Sequence, residues 1–421
     1  MKTKMDGITA EMLQNKGATF VFLGVPKGTV FGIDLKCWRT DEEFRGIRLI
    51  PPGMHYIYYA SSSETELDDV SQRSGFFQYF NENDIIVKMW DKQTEDVSTE
   101  IVNEETVQRI RLNLSNLDRY LAPYPYDVWS RWHCLTRQIT APLAKKLSPE
   151  KGLIRSEEFH SVPDSERPRG VKKSKDCSED GEKQKTMEDS GEPSPGTSEN
   201  CSKGESSAQS SPGCSGSRRL SRMTEKERED AMLPNLKPVE GTVMRFTEIP
   251  RNKYPPGSTP MEITKHHLDQ SYTLEFIISQ HEEPLNIVGE LQFAYTIFLI
   301  GHYWNGFDHW RNLVILLCSC EDAINKYRDV FIHFIATIHY QMKELPLEFL
   351  CGIDMDQNVF YKKFRELFRN VNGANSSQKI VMMIERFKQN LAELFQWRFP
   401  NDDTDDEDDK PVVVETEEIN E

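Results

Sequence analysis

Between about Arg155 and Met232 the residues that build cores almost vanish, and this gap constrains the fold more than any motif does. The stretch SEDGEKQKTMEDSGEPSPGTSENCSKGESSAQSSPGCSGS is low in complexity, mixed in charge and rich in Ser, Gly and Glu. It cannot bury enough apolar area to offset the entropy of ordering the chain, so a disordered linker is expected there. Folding must happen on either side of it. A chain of 421 residues has room for two or three domains. The expected layout is a flexible segment 1–16, a β-rich domain with closing helices over 17–154, the linker over 155–235, an all-α domain over 236–400 and an acidic tail over 401–421.

Before the gap the pattern is that of strands. The runs TFVFLG, TVFGID, GIRLI, MHYIYYA, GFFQYF, IIVKMW and DVSTEIV are separated by turn chemistry at Pro26 and Gly28, at Pro52-Gly53 and at Asn81–Asp84. Seven short runs at this spacing predict a small antiparallel sandwich or barrel. A helical period then takes over. Val107, Ile110, Leu114, Leu117 and Leu121 form one stripe, and Trp129, Trp132, Leu135 and Ile139 continue in a second helix.

After the gap, apolar spacings of three and four dominate. Pro260 suits the N-terminus of a helix running through MEITKHHLDQSYTLEFIISQ. Further helices are expected over 287–300, 304–317, 322–342, 359–371 and 379–397, which makes this part all-α. The fold class is therefore α+β and multidomain.

Charge narrows the choice of partner. The formal net charge is −17, and from Asn401 onward eleven acids stand against one lysine, so the tail alone supplies −10. Such a chain does not coat nucleic acid by releasing counterions, and a protein partner is expected. The eight cysteines form no disulfide pattern, which suits a reducing compartment. The opening MKTKMDGITAEML lacks the apolar stretch of a signal peptide, and the most apolar run, 291–301, is about half the length that spans a bilayer. The expectation is a soluble intracellular protein.

No constellation argues for catalysis. Gly24–Thr29 has the elements of a phosphate loop, but in the order Lys-Gly-Thr and between two strands, so a hairpin turn is the better reading. Cys318 and Cys320, two apart on a helix, point away from each other and cannot share a metal. His302 and His309 fall on one helical face with no third ligand, and His266-His267 near a helix start is equally bland. The aromatics of GELQFAYTIFLIGHYWNGFDHW recur at helical spacing, as core residues do. No metal, no cofactor and no reaction are expected. Within the linker, Ser221 after Arg218-Arg219 resembles a basophilic kinase site, and Ser194-Pro195 and Ser211-Pro212 resemble proline-directed ones. A chance match in a serine-rich stretch is the plain alternative.

The tail raises its own question. The acids of Asp402–Asp409 give way to Pro411, Val412, Val413, Val414 and Glu415. Three β-branched residues suit a strand and disfavour helix, yet no neighbouring strand lies near them in sequence. If they pair, it is with a distant part of the chain or with another molecule.

Six blocks together resemble one family. They are GATFVFLGVPKGTVFGID (Gly17–Asp34), FRGIRLIPPGMHYIYYASS (Phe44–Ser62), APYPY (Ala122–Tyr126), ITKHHLDQSYTLE (Ile263–Glu275), GELQFAYTIFLIG (Gly289–Gly301) and PVVVE (Pro411–Glu415). They are similar to the AAR-two pre-mRNA splicing factor family. The resemblance implies a β-rich N-terminal domain and a VHS-like helical domain. It also implies a non-catalytic chaperone of U5 small nuclear ribonucleoprotein (snRNP) assembly, working in the cytoplasm and, in second place, the nucleus. The implied partner is the large scaffold protein of that particle (Prp-eight), through its RNase H-like and Jab/MPN-like domains. The particle's RNA helicase is implied to compete for it. Pro411–Glu415 would then be a docking strand, added to the partner's sheet. About four hydrogen bonds at roughly 0.5–1.5 kcal/mol each make a weak contact alone, effective only beside a domain contact. Two other readings stand against this one. A VHS-like adaptor reading sorting peptides lacks a membrane-binding segment beside the helices, and an RNA-binding module lacks a basic stripe.

Overall fold

The computed structural model describes residues 14–60, 73–98, 100, 102–156, 159–162, 235–346, 349–350 and 358–399. Two sheets form the first half. Strands β1 (Ala18–Leu23), β4 (Gly46–Ile50), β7 (Ile85–Asp91), β8 (Asp96–Val97) and β9 (Leu121–Pro123) make a five-stranded sheet in the order β8-β7-β1-β4-β9. Strands β2 (Val30–Ile33), β3 (Lys36–Arg39), β5 (Gly53–Ala60) and β6 (Ser74–Phe80) make a four-stranded sheet in the order β3-β2-β5-β6. Their facing sides share an aromatic core: Phe20 and Phe22 of β1 meet Phe31, Tyr59, Phe76, Phe80 and Trp90. Each such ring adds about 1.5–3 kcal/mol by leaving water.

The sandwich is as expected, with two differences. The pairs β1–β7 and β4–β9 are parallel, whereas only antiparallel pairing was anticipated. A parallel pair needs a long crossover. The chain makes one by passing through β2 to β6 between β1 and β7, and the other through β5 to β8 and then helices between β4 and β9. The second difference lies between Gly24 and Thr29. This turn is not a hairpin, because β1 and β2 belong to different sheets; it carries the chain across the sandwich. Its groups are spent on itself: Gly28 N–H donates to the Thr40 carbonyl at 2.8 Å, and the Thr29 and Thr40 hydroxyls both donate to the Pro26 carbonyl.

Both outer faces of the sandwich are covered. Helix α1 (Glu104–Leu112) lays Ile110 over Val21 and Val87 of the five-stranded sheet. The expected stripe from Val107 to Leu121 is cut at Asn113, after which α2 (Leu114–Leu117) and β9 follow. Helices α3 (Trp129–Thr136) and α4 (Ala141–Leu147) cover the other sheet, with Trp132 Nε1 donating to the Met54 carbonyl at 2.8 Å.

The helical half begins at α5 (Pro260–Leu268), not at 236. Thr259 and Glu262 close a reciprocal capping box around its start. The long helix expected from Pro260 to Gln280 breaks at Asp269, and α6 (Ser271–Ile278) starts anew. The Asp269 carboxylate accepts from Ser271 N–H and Oγ and from the N–H groups of Glu321 and Asp322, so it ends one helix and ties down a remote turn. Burial raises its pKa, but these four bonds outweigh burial and hold it below the usual carboxylate value. Then come α7 (Asn286–Leu299), α8 (Trp304–Cys318), α9 (Ala323–Lys326), α10 (Arg328–Glu344), α11 (Val359–Gly373) and α12 (Gln378–Phe395). All residues of α7 from Ile287 to Phe298 are buried. It is packed by α8 and α10 on the helical side and by α3 and α4 on the sheet side.

The sheet half and the helical half thus form a single compact unit. A second unit, Phe159–Pro238, contains a two-stranded antiparallel ribbon of β10 (Phe159–Ser161) and β11 (Leu236–Pro238). Leu236–Pro238 was expected to open the all-α domain and instead is a strand.

Candidate functional site

The residues expected to bind a partner, Pro411, Val412, Val413, Val414 and Glu415, lie outside the described residues, as does Ser221. The other five blocks of the resemblance can be located, and several of their polar residues are bonded inside the molecule, those on α5 excepted. Asp34 follows β2 with φ 55°, a backbone shape that Asp tolerates better than most residues. Its carboxylate accepts from the Tyr56 N–H at 3.0 Å and from the Tyr124 hydroxyl at 2.6 Å, with His55 Nδ1 2.7 Å away. His55 Nε2 faces the Pro51 carbonyl at 2.8 Å. Asp34, His55 and Tyr124 come from three separate blocks, and this buried network pins them together. Burial, with Asp34 beside it, pushes the Tyr124 phenol far up, so its hydroxyl stays a donor.

The block GELQFAYTIFLIG lies on α7 and makes the seam between the two halves. A Cβ on Gly289 would stand 2.4 Å from the Gln138 carbonyl oxygen and 2.5 Å from Leu143, so only glycine lets α7 come this close to the sheet half. Gln292 accepts from Gln138 N–H at 2.8 Å and donates to Thr337 at 3.1 Å. Phe293 stacks on Phe77 of β6 at 4.7 Å. Glu290 accepts from Thr247 N–H and Oγ1, both at 2.7 Å, and lies 2.8 Å from His309 Nε2. Burial raises the Glu290 pKa, but the bonds from His309 and Thr247 prevail and hold it below the ordinary carboxylate range. His281, buried 3.4 Å from the same carboxylate, is pushed down by burial.

Other expectations change in place. His302 has φ 55° and precedes α8, so it does not share a helical face with His309. Cys320 lies past the end of α8; both it and Cys318 are buried, and burial raises both thiols. Phe293, Tyr295 and Trp310 are core residues, as their spacing suggested, whereas Trp304 of the same stretch is 65% exposed. Among the described residues no group of His, Cys, Asp and Glu could hold a metal ion, and no helix is long and apolar enough to cross a membrane.

One surface of the sheet half is unfinished. Gly75 of β6 exchanges two backbone bonds with Ile154, at 2.9 and 2.7 Å, as if a fifth strand were beginning. Toward Phe77 and Tyr79 the pairing stops, because the residues just before Ile154 form a turn. Gly152, at φ +76°, closes a turn with its N–H on the Pro149 carbonyl. Strand pairing alternates, so the backbone groups of Phe77 and Tyr79 face outward as those of Gly75 do. Among the described residues only the Tyr79 carbonyl has a partner there, the Gln78 side-chain amide at 2.9 Å. A cleft opens on each side of this edge. One, of about 470 Å³, runs past Phe76, Val87, Val97 and Lys88; the other, of about 510 Å³, runs past Met54, Tyr79, Ala144 and Lys145. Reading GFFQYF as a strand was correct, but its place at an edge depends on a turn some 75 residues away and left no local mark.

Comparison with known proteins gives the chain its relatives. The family description "AAR2 N-terminal domain" matches residues 16–149, and "AAR2 C-terminal repeat region" matches residues 246–400. The chain is 32% identical over 414 residues to "Protein AAR2 homolog" of Mus musculus, covering 98% of this chain and 97% of that one. It is 32% identical over 416 residues to the Homo sapiens protein of that name, at the same coverage, and 28% identical over 394 residues to that of Caenorhabditis elegans, covering 92% and 96%. The two matched regions coincide with the sheet half and the helical half that α7 joins, and the chain belongs to the AAR2 family, which makes it a splicing-related factor.

Proposed function

We propose that this protein is a non-catalytic assembly factor of the U5 snRNP. It binds the large scaffold protein of that particle through the RNase H-like and Jab/MPN-like domains, and so keeps the RNA helicase from docking early. The reading is supported by family membership over both halves and, above all, by the way the blocks are used. Asp34, His55, Tyr124, Gly289, Glu290 and Gln292 all hold the sheets and helices in one fixed arrangement. A rigid body loses little freedom on association, which favours a binding surface over a moving catalytic one. In this reading Pro411–Glu415 is the strand handed to the partner's sheet, and the acids before it steer its approach. The site of action is the cytoplasm.

Capture of the tagged full chain from cytoplasmic extract, followed by mass spectrometry, should return the scaffold protein without the helicase. Calorimetry with the scaffold's two C-terminal domains then tests the strand. Proline at position 413 removes one donor and fixes φ near −65°, so Val413→Pro should weaken binding by about five- to a hundredfold, roughly 1–3 kcal/mol. Wild-type affinity in that variant would sink the docking strand, and recovery of coat proteins instead would sink the assembly role.

A further inference from the structure

The unfinished edge of β6 has the properties of a strand acceptor. We propose that Val412–Val414 of this same chain docks there as a fifth strand of the four-stranded sheet, holding the tail in reserve until a partner takes it. This rests on the reading of Val412–Val414 as a docking strand and adds where that strand sits when no partner is present.

Four observations carry it. The outward N–H and C=O of Phe77 and the N–H of Tyr79 have no partner among the described residues, and an added strand would satisfy them in the register that Ile154 begins. The two clefts flank the edge, so alternate side chains of an added strand would enter one and then the other. Val412 and Val414 would face one cleft and Val413 the other. One cleft is lined by Lys88 and Lys151 with Glu100, the other by Lys145 and Arg245 with Glu150, so each side keeps an excess of one positive charge, opposite in sign to the run Asp402–Asp409 that leads into the valines. Finally, Phe399 is anchored on Tyr361 at 5.1 Å. The twelve residues from there to Pro411 give a reach of about 40 Å and a high local concentration.

The other edges do not compete. The opposite edge of the same sheet, β3, is four residues long against seven for β6, and so offers a shorter ladder to an added strand. The edge strands of the five-stranded sheet, β8 and β9, are only two and three residues long. Among the described residues β6 is the longest edge without a Lys or Arg.

Hydrogen exchange of the Phe77 and Tyr79 amides, without any partner, tests the proposal. In the full chain both should exchange about tenfold more slowly than in a chain ending at Pro400, at a rate independent of protein concentration. Val413→Pro should exchange like the shortened chain. Tyr79→Pro, which removes an outward donor at a tolerated edge position, should speed binding to the scaffold domains because the tail is then free. Equal exchange in the full and shortened chains would overturn the proposal. Protection that grows with concentration would overturn it too, in favour of a second copy on the edge. If the edge is unprotected but Val413→Pro still weakens scaffold binding, self-docking fails and the function stands. If the edge is protected but Val413→Pro binds the scaffold as wild type does, the docking to the partner fails and self-docking stands.

Discussion

Helices α5 and α7 both carry blocks of the family resemblance, and they could hardly be used more differently. In α7 twelve consecutive residues are buried, and its polar groups Glu290, Gln292 and Thr296 are all bonded inside. In α5 none is buried: Met261 is 85% exposed and Leu268 75%. Tertiary packing holds the first helix. Local chemistry holds the second, through the Thr259–Glu262 box, Pro260 at its first position and the basic residues Lys265, His266 and His267 in its last turn. Matching a family block therefore says nothing about how much energy the block carries. It says only that the residues recur.

That contrast can be broken by measurement, beginning where the effect is largest. Gly289→Val drives a methyl-bearing carbon into the Gln138 carbonyl and should cost about 3 kcal/mol or more, part of it by prising the sheet half from the helices. Denaturant unfolding with the wild-type midpoint would show that the seam yields. Glu290→Gln keeps the shape but removes the charge that Thr247 and His309 bond, and about 2–3 kcal/mol should go with it. An unchanged melting temperature would mean that the network is neutral to stability.

Acid should also act on the packed helices. Glu290 has a depressed folded pKa, so its contribution is present above its unfolded pKa of about 4.3 and is lost as pH falls through the folded value. His281 and His339 are pushed down by burial, His339 to about 4 with Lys343 and Arg386 nearby. The unfolded chain then takes up protons first as pH drops below about 6.5, and stability falls with it. From pH 7 to pH 5 the half-buried His339 should cost roughly 1 kcal/mol after allowing for solvent screening. His339→Gln should flatten that slope when unfolding is followed across pH, and an unaltered slope would assign it elsewhere. The smallest effects belong to α5. Thr259→Ala should loosen its first turn by about 1 kcal/mol in hydrogen exchange while global unfolding stays put. Leu268→Ser should change stability by less than about 0.5 kcal/mol; a larger loss would show that α5 is packed after all.

What could be read in advance follows the same line. The bounds of α7, α8, α11 and α12 were legible to within about two residues, because a buried helix must repeat its apolar positions every three or four. The break at Asp269 was not, although Asp-Gln-Ser is helix-start chemistry that could have marked it. Strand β3 was missed because Lys36–Arg39 is exposed along an edge and shows no alternation. Strand β9 is three residues long, and its parallel partner β4 lies about 75 positions away. The candidate site shared this fate. The valine triplet announced a strand, whereas the edge of β6 past Gly75 lacks a strand partner among the described residues because the chain reaches Ile154 out of the turn at Gly152.

The seam at α7 also sets a timetable for the newborn chain. A ribosome delivers the four-stranded sheet with Met54, Tyr56, Tyr58 and Phe77 on its outer face, yet Phe293 and Ile297, which share that cluster, are encoded about 140 residues after Ile154. At ~5–20 residues per second the nascent sheet waits roughly ten to thirty seconds for its cover. Helices α3 and α4 arrive early and shield part of the face; the rest stays bare while the long polar stretch is translated. Lengthening that stretch would leave the finished protein alone and prolong only the exposure, so its size is a matter for the chaperones that attend synthesis.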